Sequence, residues 1–535
     1  MASPLLLRRR RATLLTACCA ALAVVPLAGC GDSSSSGSGD AGADPAALLP
    51  ASAPLYVEAQ VRPTGDLAVN AKSVAGKILR TGDPGGKIVG LIDQGLKDDK
   101  ASYADDIAPW LGQRAGIAIT SIGAGGKDVD VVGAIASKDD DAANAFLDKQ
   151  AKGETRTYRD VKYHVKTGDD LAAAVVDHAV LIGTENGLKS AIDARSGGGL
   201  AASGTFKKAR ETVGTDGLGF VYADPGRFFD LVAGAASGTA AGRDATTLKA
   251  FKGLLTGTGL QSVAASVDVA SNAIRVDAAA IGLKAGAAKS ATAGDGPGAA
   301  AAVPAGSWLS VGVGDVGGAV KGALTSAGTA GITGGVDPAT LLQGMKSQLG
   351  VDVEKDLLSW MGDAALFVRG TSMSDLGGAL VVTSKDPAAS RAAIPKLEKL
   401  LKGLSVDTGP LTGDVAGADG FTVKVGGPLP GGIDVATKDD KFVIAYGKDA
   451  LKDALSGGDA LGDSAPYKTA AGLLDGVKPS LFLDTPQVVK LISAFAGNNA
   501  DFAKAKPTLD AFGPAAAGVT RDGDVTRLKA AVAVP

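Results

Sequence analysis

The most regular pattern in the chain is at 55–62, where Leu55, Val57, Ala59 and Val61 alternate with Tyr56, Glu58, Gln60 and Arg62. That period of two predicts a half-buried strand with its apolar side chains on one face. Tyr56, Glu58 and Arg62 then share the other face, either as a surface for a partner or as an ordinary solvated strand face. Further on, Ile88, Leu91, Ile92 and Leu96 fall three and four apart, as do Leu341, Leu342, Met345 and Leu349. These stripes predict helices packed by one face. The stretches 115–122, 129–136, 156–166, 171–177 and 179–183 read as consecutive strands, with a helix near 140–152. Short connections favour antiparallel pairing, because a parallel crossover needs about a dozen residues or more. The expected class is α+β, a mainly antiparallel sheet with helices packed on one face.

The pattern occurs twice. Leu49-Pro50-Ala51 and Leu55-Tyr56-Val57 match Val303-Pro304-Ala305 and Leu309-Ser310-Val311, and Asp83-Pro84 matches Asp337-Pro338. Asp106-Ile107-Ala108-Pro109-Trp110-Leu111-Gly112 matches Asp356-Leu357-Leu358-Ser359-Trp360-Met361-Gly362. Ala136-Ser137-Lys138-Asp139 then matches Thr383-Ser384-Lys385-Asp386, 188–192 matches 451–455, and Pro225 matches Pro486. Collinear matches whose separation drifts only by loop-sized steps predict two homologous lobes, 47–283 and 303–535, joined by an Ala/Gly/Ser linker over 284–302.

The first residues follow a different logic. Arg8-Arg9-Arg10-Arg11 precedes an apolar run over 12–27, which ends in Leu27-Ala28-Gly29-Cys30. A basic segment, a short apolar segment and small residues before a cut form a secretory signal, and the run is short for a membrane span. The last four residues resemble a lipobox. That resemblance implies cleavage after Gly29, a lipid on Cys30, and an extracytoplasmic protein held to the membrane by that lipid. Residues 30–46 are rich in Ser, Gly and Asp and predict a flexible tether that holds the folded part on the order of 20 Å from the lipid surface.

Composition narrows the chemistry. A net charge of −3 from 54 basic and 57 acidic side chains provides no basic field for nucleic acid. Cys18, Cys19 and Cys30 are the three cysteines, so the part beyond the signal has no thiol for a disulfide, a metal or a nucleophile. His164 and His178, the two histidines, lack metal-ligand spacing, so no metal or cofactor is expected. The chain after Cys30 contains neither a Gly-x-Ser-x-Gly elbow nor a Ser-x-x-Lys pair. Gly312-Val313-Gly314-Asp315-Val316-Gly317 satisfies the dinucleotide pattern G-x-G-x-x-G. In a Gly-rich chain whose first half has Glu58 and Gln60 at the matching positions, it reads as a chance match. Trp110 and Trp360, present in both halves, read as packing anchors, and Asp83, Asp139, Asp337 and Asp386 as helix N-caps.

Leu48-Leu49-Pro50, Pro54-Leu55-Tyr56-Val57-Glu58-Ala59, Val61-Arg62-Pro63 and Pro109-Trp110-Leu111-Gly112 together resemble a bacterial lipoprotein family known as domain of unknown function 3352 (DUF3352). The resemblance implies an envelope location and a shared fold, and it transfers no activity. The expectation is a non-catalytic, lipid-anchored envelope protein that binds an apolar ligand such as a lipid. The alternatives are an adaptor that engages another envelope protein through a strand edge, and an exported hydrolase.

Overall fold

The computed structural model describes residues 42–535 except 98–99, 124–127, 151–152, 167–169, 237–251, 254–256, 285–292, 330–339, 341–342, 345, 348–349, 373, 414, 426–431, 448 and 497–498. The signal, the lipobox, Cys30, Asp337 and most of the 341–349 stripe lie outside the described residues. The chain divides into two compact units, 1–282 and 283–535.

The first unit contains β1 (Leu55–Gln60), β2 (Leu111–Ile122), β3 (Val129–Ser137), β4 (Gly153–Tyr158), β5 (Val161–Lys166), β6 (Leu171–Val176), β7 (Ala179–Thr184), β8 (Gly219–Ala223), β9 (Ser262–Ala270) and β10 (Ala273–Ile281). They pair antiparallel in the order β4-β5-β6-β7-β3-β2-β1-β8-β9-β10. Its helices are α1 (Pro45–Leu48), α2 (Gly65–Leu79), α3 (Pro84–Leu96), α4 (Asp140–Gln150), α5 (Glu185–Ala194), α6 (Gly204–Val213) and α7 (Pro225–Ala236). The hairpins follow from local chemistry. Asp177 and His178 both adopt positive φ, the type I′ geometry that matches strand twist between β6 and β7. The stretch 156–166, read above as one strand, is broken by Arg159 at positive φ into the β4–β5 hairpin.

The second unit contains β11 (Ser307–Val313), β12 (Met361–Arg369), β13 (Gly377–Ser384), β14 (Thr408–Pro410), β15 (Asp419–Lys424), β16 (Gly432–Lys438), β17 (Lys441–Tyr446), β18 (Leu481–Leu483), β19 (Ala515–Asp522) and β20 (Val525–Ala533). They pair antiparallel in the order β14-β15-β16-β17-β13-β12-β11-β18-β19-β20, the same succession as in the first unit. Its helices are α8 (Gly296–Ala301), α9 (Val316–Thr329), α10 (Pro387–Gly403), α11 (Ala450–Ser456), α12 (Ala465–Gly472), α13 (Thr485–Ala496) and α14 (Ala500–Leu509).

A shared device anchors helices to each sheet. Before β2, a wide π-type turn (Tyr103–Ile107) presents the Asp106 carbonyl to the Trp110 indole N–H at 2.7 Å, and the Asp106 carboxylate accepts from Ser102 N and Lys149 Nζ. Before β12, the turn Val353–Leu358 repeats this. Trp360 Nε1 donates to the Asp356 carbonyl at 2.9 Å, and the Asp356 carboxylate accepts from Asp352 N and Lys396 Nζ. The lysine hydrogen bonds, followed by the backbone ones, hold both carboxyls below their usual range. Both indoles are buried in apolar clusters, Trp110 beside Phe146 and Trp360 beside Phe442. Asp83, Asp139 and Asp386 accept from backbone N–H groups at the starts of α3, α4 and α10.

Three expectations need correction. The alternation at β1 does not separate inside from outside, because Tyr56 and Glu58 are buried while Leu55 and Val57 are only half-buried. Leu91 points outward at 53% exposure, and Val89 takes its place against the Trp110 cluster. The folded parts also begin earlier than the sequence suggests. Asp44 caps α1, whose Ala46 and Leu48 are buried, so the last residues of the expected 30–46 tether are folded. Within the expected 284–302 linker, Asp295 caps α8, and Gly296 and Ala300 are buried.

Candidate functional site

On one face of each sheet the described side chains pass from buried to half-buried partway along the strands. Ala59 and Ala115 are paired and buried, and Ala115 belongs to the Trp110 cluster. Two residues further along the same face, Val57 lies between Ile117 and Val221, and Val221 is followed by Ala265. These side chains are half-buried or, for Val221 at 37%, exposed. The second unit repeats the arrangement in register. Ala364 is buried in the Trp360 cluster, and beyond it Leu366, Val311, Leu481 and Ala517 form a row across four strands. Leu366 and Leu481 are 42% and 38% exposed. Scattered surface leucines need no explanation, but an aliphatic row left half-open at the same register of two sheets is a site-sized feature. Its chemistry is apolar contact.

The opposite face of β1 carries a buried polar network. Glu58, 4% exposed, accepts from the Tyr56 hydroxyl at 2.6 Å, from Arg114 NH1 at 3.1 Å and from Arg210 NH2 at 2.5 Å. Arg210, on α6, also donates to both carboxylate oxygens of Asp44, which caps α1. Its guanidinium lies 5.0 Å from the Phe206 ring centroid and 5.8 Å from that of Phe220. Burial, reinforced by the Glu58 charge, pushes the Tyr56 hydroxyl well above its usual range. Burial opposes the Arg210 charge, but the Asp44 hydrogen bond and the Glu58 charge outweigh it and raise the Arg210 pKa.

Tyr56, Glu58 and Arg62 are therefore neither a partner surface nor a solvated face. Arg62 is turned to other work, donating to the Leu111 carbonyl at 2.8 Å. The physical reason is that α1 and α6 cover this side of β1, and the Tyr56 hydroxyl and the Glu58 and Asp44 carboxylates all find hydrogen-bond partners there. Sequence reading missed Asp44, Arg114 and Arg210. Asp44-Pro45 has the same cap chemistry as Asp83-Pro84 but follows a tether-like composition that masked it.

The second unit lacks the network as a whole. Strand register places Ser310 and Gly312 where the first unit has Tyr56 and Glu58, and the matched segments place Ala471 opposite Arg210. The Ser310 hydroxyl donates to the Ala300 carbonyl, and a Cβ at Gly312 would collide with the Gly296 carbonyl oxygen. Gly314 and Gly317 are equally crowded by the Ala293 and Leu358 carbonyl oxygens. The glycines of the G-x-G-x-x-G pattern thus admit other backbone where a dinucleotide site would admit phosphate, and β11 runs antiparallel to both neighbours. His164 Nε2 lies 3.4 Å from Asp148, and His178, 78% exposed, lies 3.0 Å from Asp140. Among the described residues no group of His, Cys, Asp and Glu is placed to hold a metal, and no helix is long and apolar enough to cross a membrane.

No curated protein matches the chain. Among solved structures, crystal form IV of TP0453 is 10% identical with a TM-score of 0.24, covering 46% of this chain and 83% of that one. Crystal form III of TP0453 gives 9% identity and the same TM-score over 45% and 81%. Residues 12–530 match the family described as "Protein of unknown function (DUF3352)", and with nearly its whole length matched the chain belongs to that family.

Proposed function

We propose that the chain is an exported, lipid-anchored envelope protein that binds an apolar ligand without transforming it. The observation that carries the binding reading is the half-open aliphatic row at Val57 and Val311, present at the same register in both units. Its side chains offer contact area to alkyl groups and no nucleophile, acid or base. The anchor rests on Leu27-Ala28-Gly29-Cys30 and on the composition of the segment that follows. The adaptor alternative is less favoured. At one sheet edge, β4 carries Glu154 and Arg156, whose charges blunt strand addition.

Two measurements test this. Native mass spectrometry with lipid extraction, on residues 31–535 exported without the anchor, is expected to show a co-purifying apolar molecule. Val311→Asp and Val57→Asp should reduce its occupancy. A clean apo mass that stays clean after incubation with envelope lipids overturns the binding reading. Separately, Cys30→Ala is expected to abolish labelling by a radioactive fatty acid and to move the protein from the membrane to the soluble fraction. Unchanged membrane retention without label overturns the anchor.

A further inference from the structure

The helix after β18 differs from its counterpart after β8 in a way the shared sheet does not require. Taking the matched prolines Pro225 and Pro486 as the register, Phe228, Phe229 and Val232 on α7 correspond to Val489, Lys490 and Ser493 on α13. The two phenylalanines stack edge to face with centroids 5.9 Å apart. In the second unit a cavity of about 400 Å³ lies between α13 and the end of α14. Pro486, Val489 and Phe512 supply its apolar wall, and Lys490, Ser493, Lys506 and Asp510 its polar one. That volume is within the range of small-molecule sites.

The polar groups are not equally available. The Ser493 hydroxyl donates to the Val489 carbonyl at 2.6 Å, and Lys506 Nζ holds both Asp510 oxygens, at 2.8 and 2.7 Å. Lys490 forms no ion pair among the described residues, and Asp484 at the head of α13 feels its charge without pairing to it. The wall therefore combines aliphatic and aromatic surface with one cation in excess. We propose that this cavity binds a long-chain monocarboxylate, with its alkyl chain against Val489, Pro486 and Phe512 and its carboxylate on Lys490. The charge match with Lys490 selects a carboxylate over an uncharged chain of equal length. This assignment rests on the apolar-ligand reading above and adds to it a second place, lined by residues other than the aliphatic row, and a chemical class.

The test is titration of the full mature chain with isotope-labelled hexadecanoate and, in parallel, hexadecanol, read by native mass spectrometry. Hexadecanoate is expected to bind saturably and at least tenfold more tightly than hexadecanol. Lys490→Glu should remove that preference, and Val489→Trp, which fills the cavity, should abolish binding of both. Circular dichroism checks that the variants are folded, and Lys490 is exposed at the helix surface. If hexadecanoate binds all three proteins equally, the cavity is not the site. Loss of that binding in Val311→Asp then leaves the general apolar-ligand reading standing while this assignment falls. Equal affinity for the acid and the alcohol overturns the class, and failure of hexadecanoate to bind the wild type overturns this assignment.

Discussion

Replacing Arg210 by Ala removes the one cation that touches both Asp44 and Glu58. Glu58 is then left in a nearly closed site with the Tyr56 hydroxyl and a single longer contact to Arg114. Breaking a buried ion pair from one side costs about 3–5 kcal/mol, because the abandoned charge stays desolvated. By the factor of ten per 1.4 kcal/mol, that loss corresponds to roughly 10²- to 4 × 10³-fold faster amide exchange where opening is local. Hydrogen exchange by mass spectrometry is the suitable assay, since a chain of two compact units need not unfold in one step. The acceleration should concentrate in α1, β1 and α6 and spare the second unit. The double variant Glu58→Leu with Arg210→Met removes both charges and keeps the apolar stem over Phe206 and Phe220. It should recover most of the lost protection, because well-packed apolar replacements of buried ion pairs are often neutral or stabilising by about 1–4 kcal/mol. If Arg210→Met alone restores protection as fully as the double variant, the stacking of the arginine stem, and not the charge network, holds α1 in place, and the reasoning fails.

Three shorter predictions follow from the same geometry. Trp360→Ala should cost about 3–5 kcal/mol of local stability around β12 and α10, and Trp360→Phe only about 1 beyond the packing change, since it forfeits the single bond to the Asp356 carbonyl; similar exchange rates for the two would refute the anchoring role. Gly312→Ala drives a methyl into the Gly296 carbonyl, so α8 should lift and 293–302 should become cleavable by protease, at a cost of about 1–3 kcal/mol; unchanged cleavage would refute the close packing. The Glu185 carboxyl is held at about 2, against an ordinary 4.5, chiefly by Lys189 and then by the Tyr163 hydroxyl. A depressed carboxyl stabilises the fold above its unfolded pKa, so this contribution is complete above about pH 4.5 and lost as the pH falls towards 2. Thermal unfolding followed from pH 6 to 3 should therefore decline less steeply in Glu185→Gln than in the wild type, and parallel declines would refute the assignment.

Much of the architecture was legible because it depends on local chemistry. The class, the antiparallel pairing, the Trp110 and Trp360 anchors and the Asp caps at 83, 139 and 386 follow from period, hairpin spacing and capping preference. What escaped was set by layers above the strand. A period of two reports which residues share a face, but not which face a helix will cover. With α1 and α6 on the Tyr56 side, the polar side became the closed one and the aliphatic side stayed half-open. Asp44, Arg114 and Arg210 are distant in sequence and meet Glu58 only once the sheet and α6 are assembled, so no window along the chain contains them together.

Comparison of the two units sorts these features by what constrains them. The strand order, the π-type turn and the indole bond to an Asp carbonyl are present in both, as expected of parts that every other element packs against. The buried network is present in one unit, and in the other its Tyr56, Glu58 and Arg210 are replaced together by Ser310, Gly312 and Ala471. Such a site tolerates either every partner or none, because a half-satisfied buried network is worse than an apolar one. Ser310, Gly312 and Ala471 are therefore a single alternative solution, in which α8 rests directly on backbone. The aliphatic row has no such internal partner to satisfy, and a solvated face is free to turn polar at little cost in stability. Val57, Ile117 and Val221 nevertheless correspond to Val311, Leu366 and Leu481 in register across the two sheets, and the apolar ligand proposed above would make its contacts there.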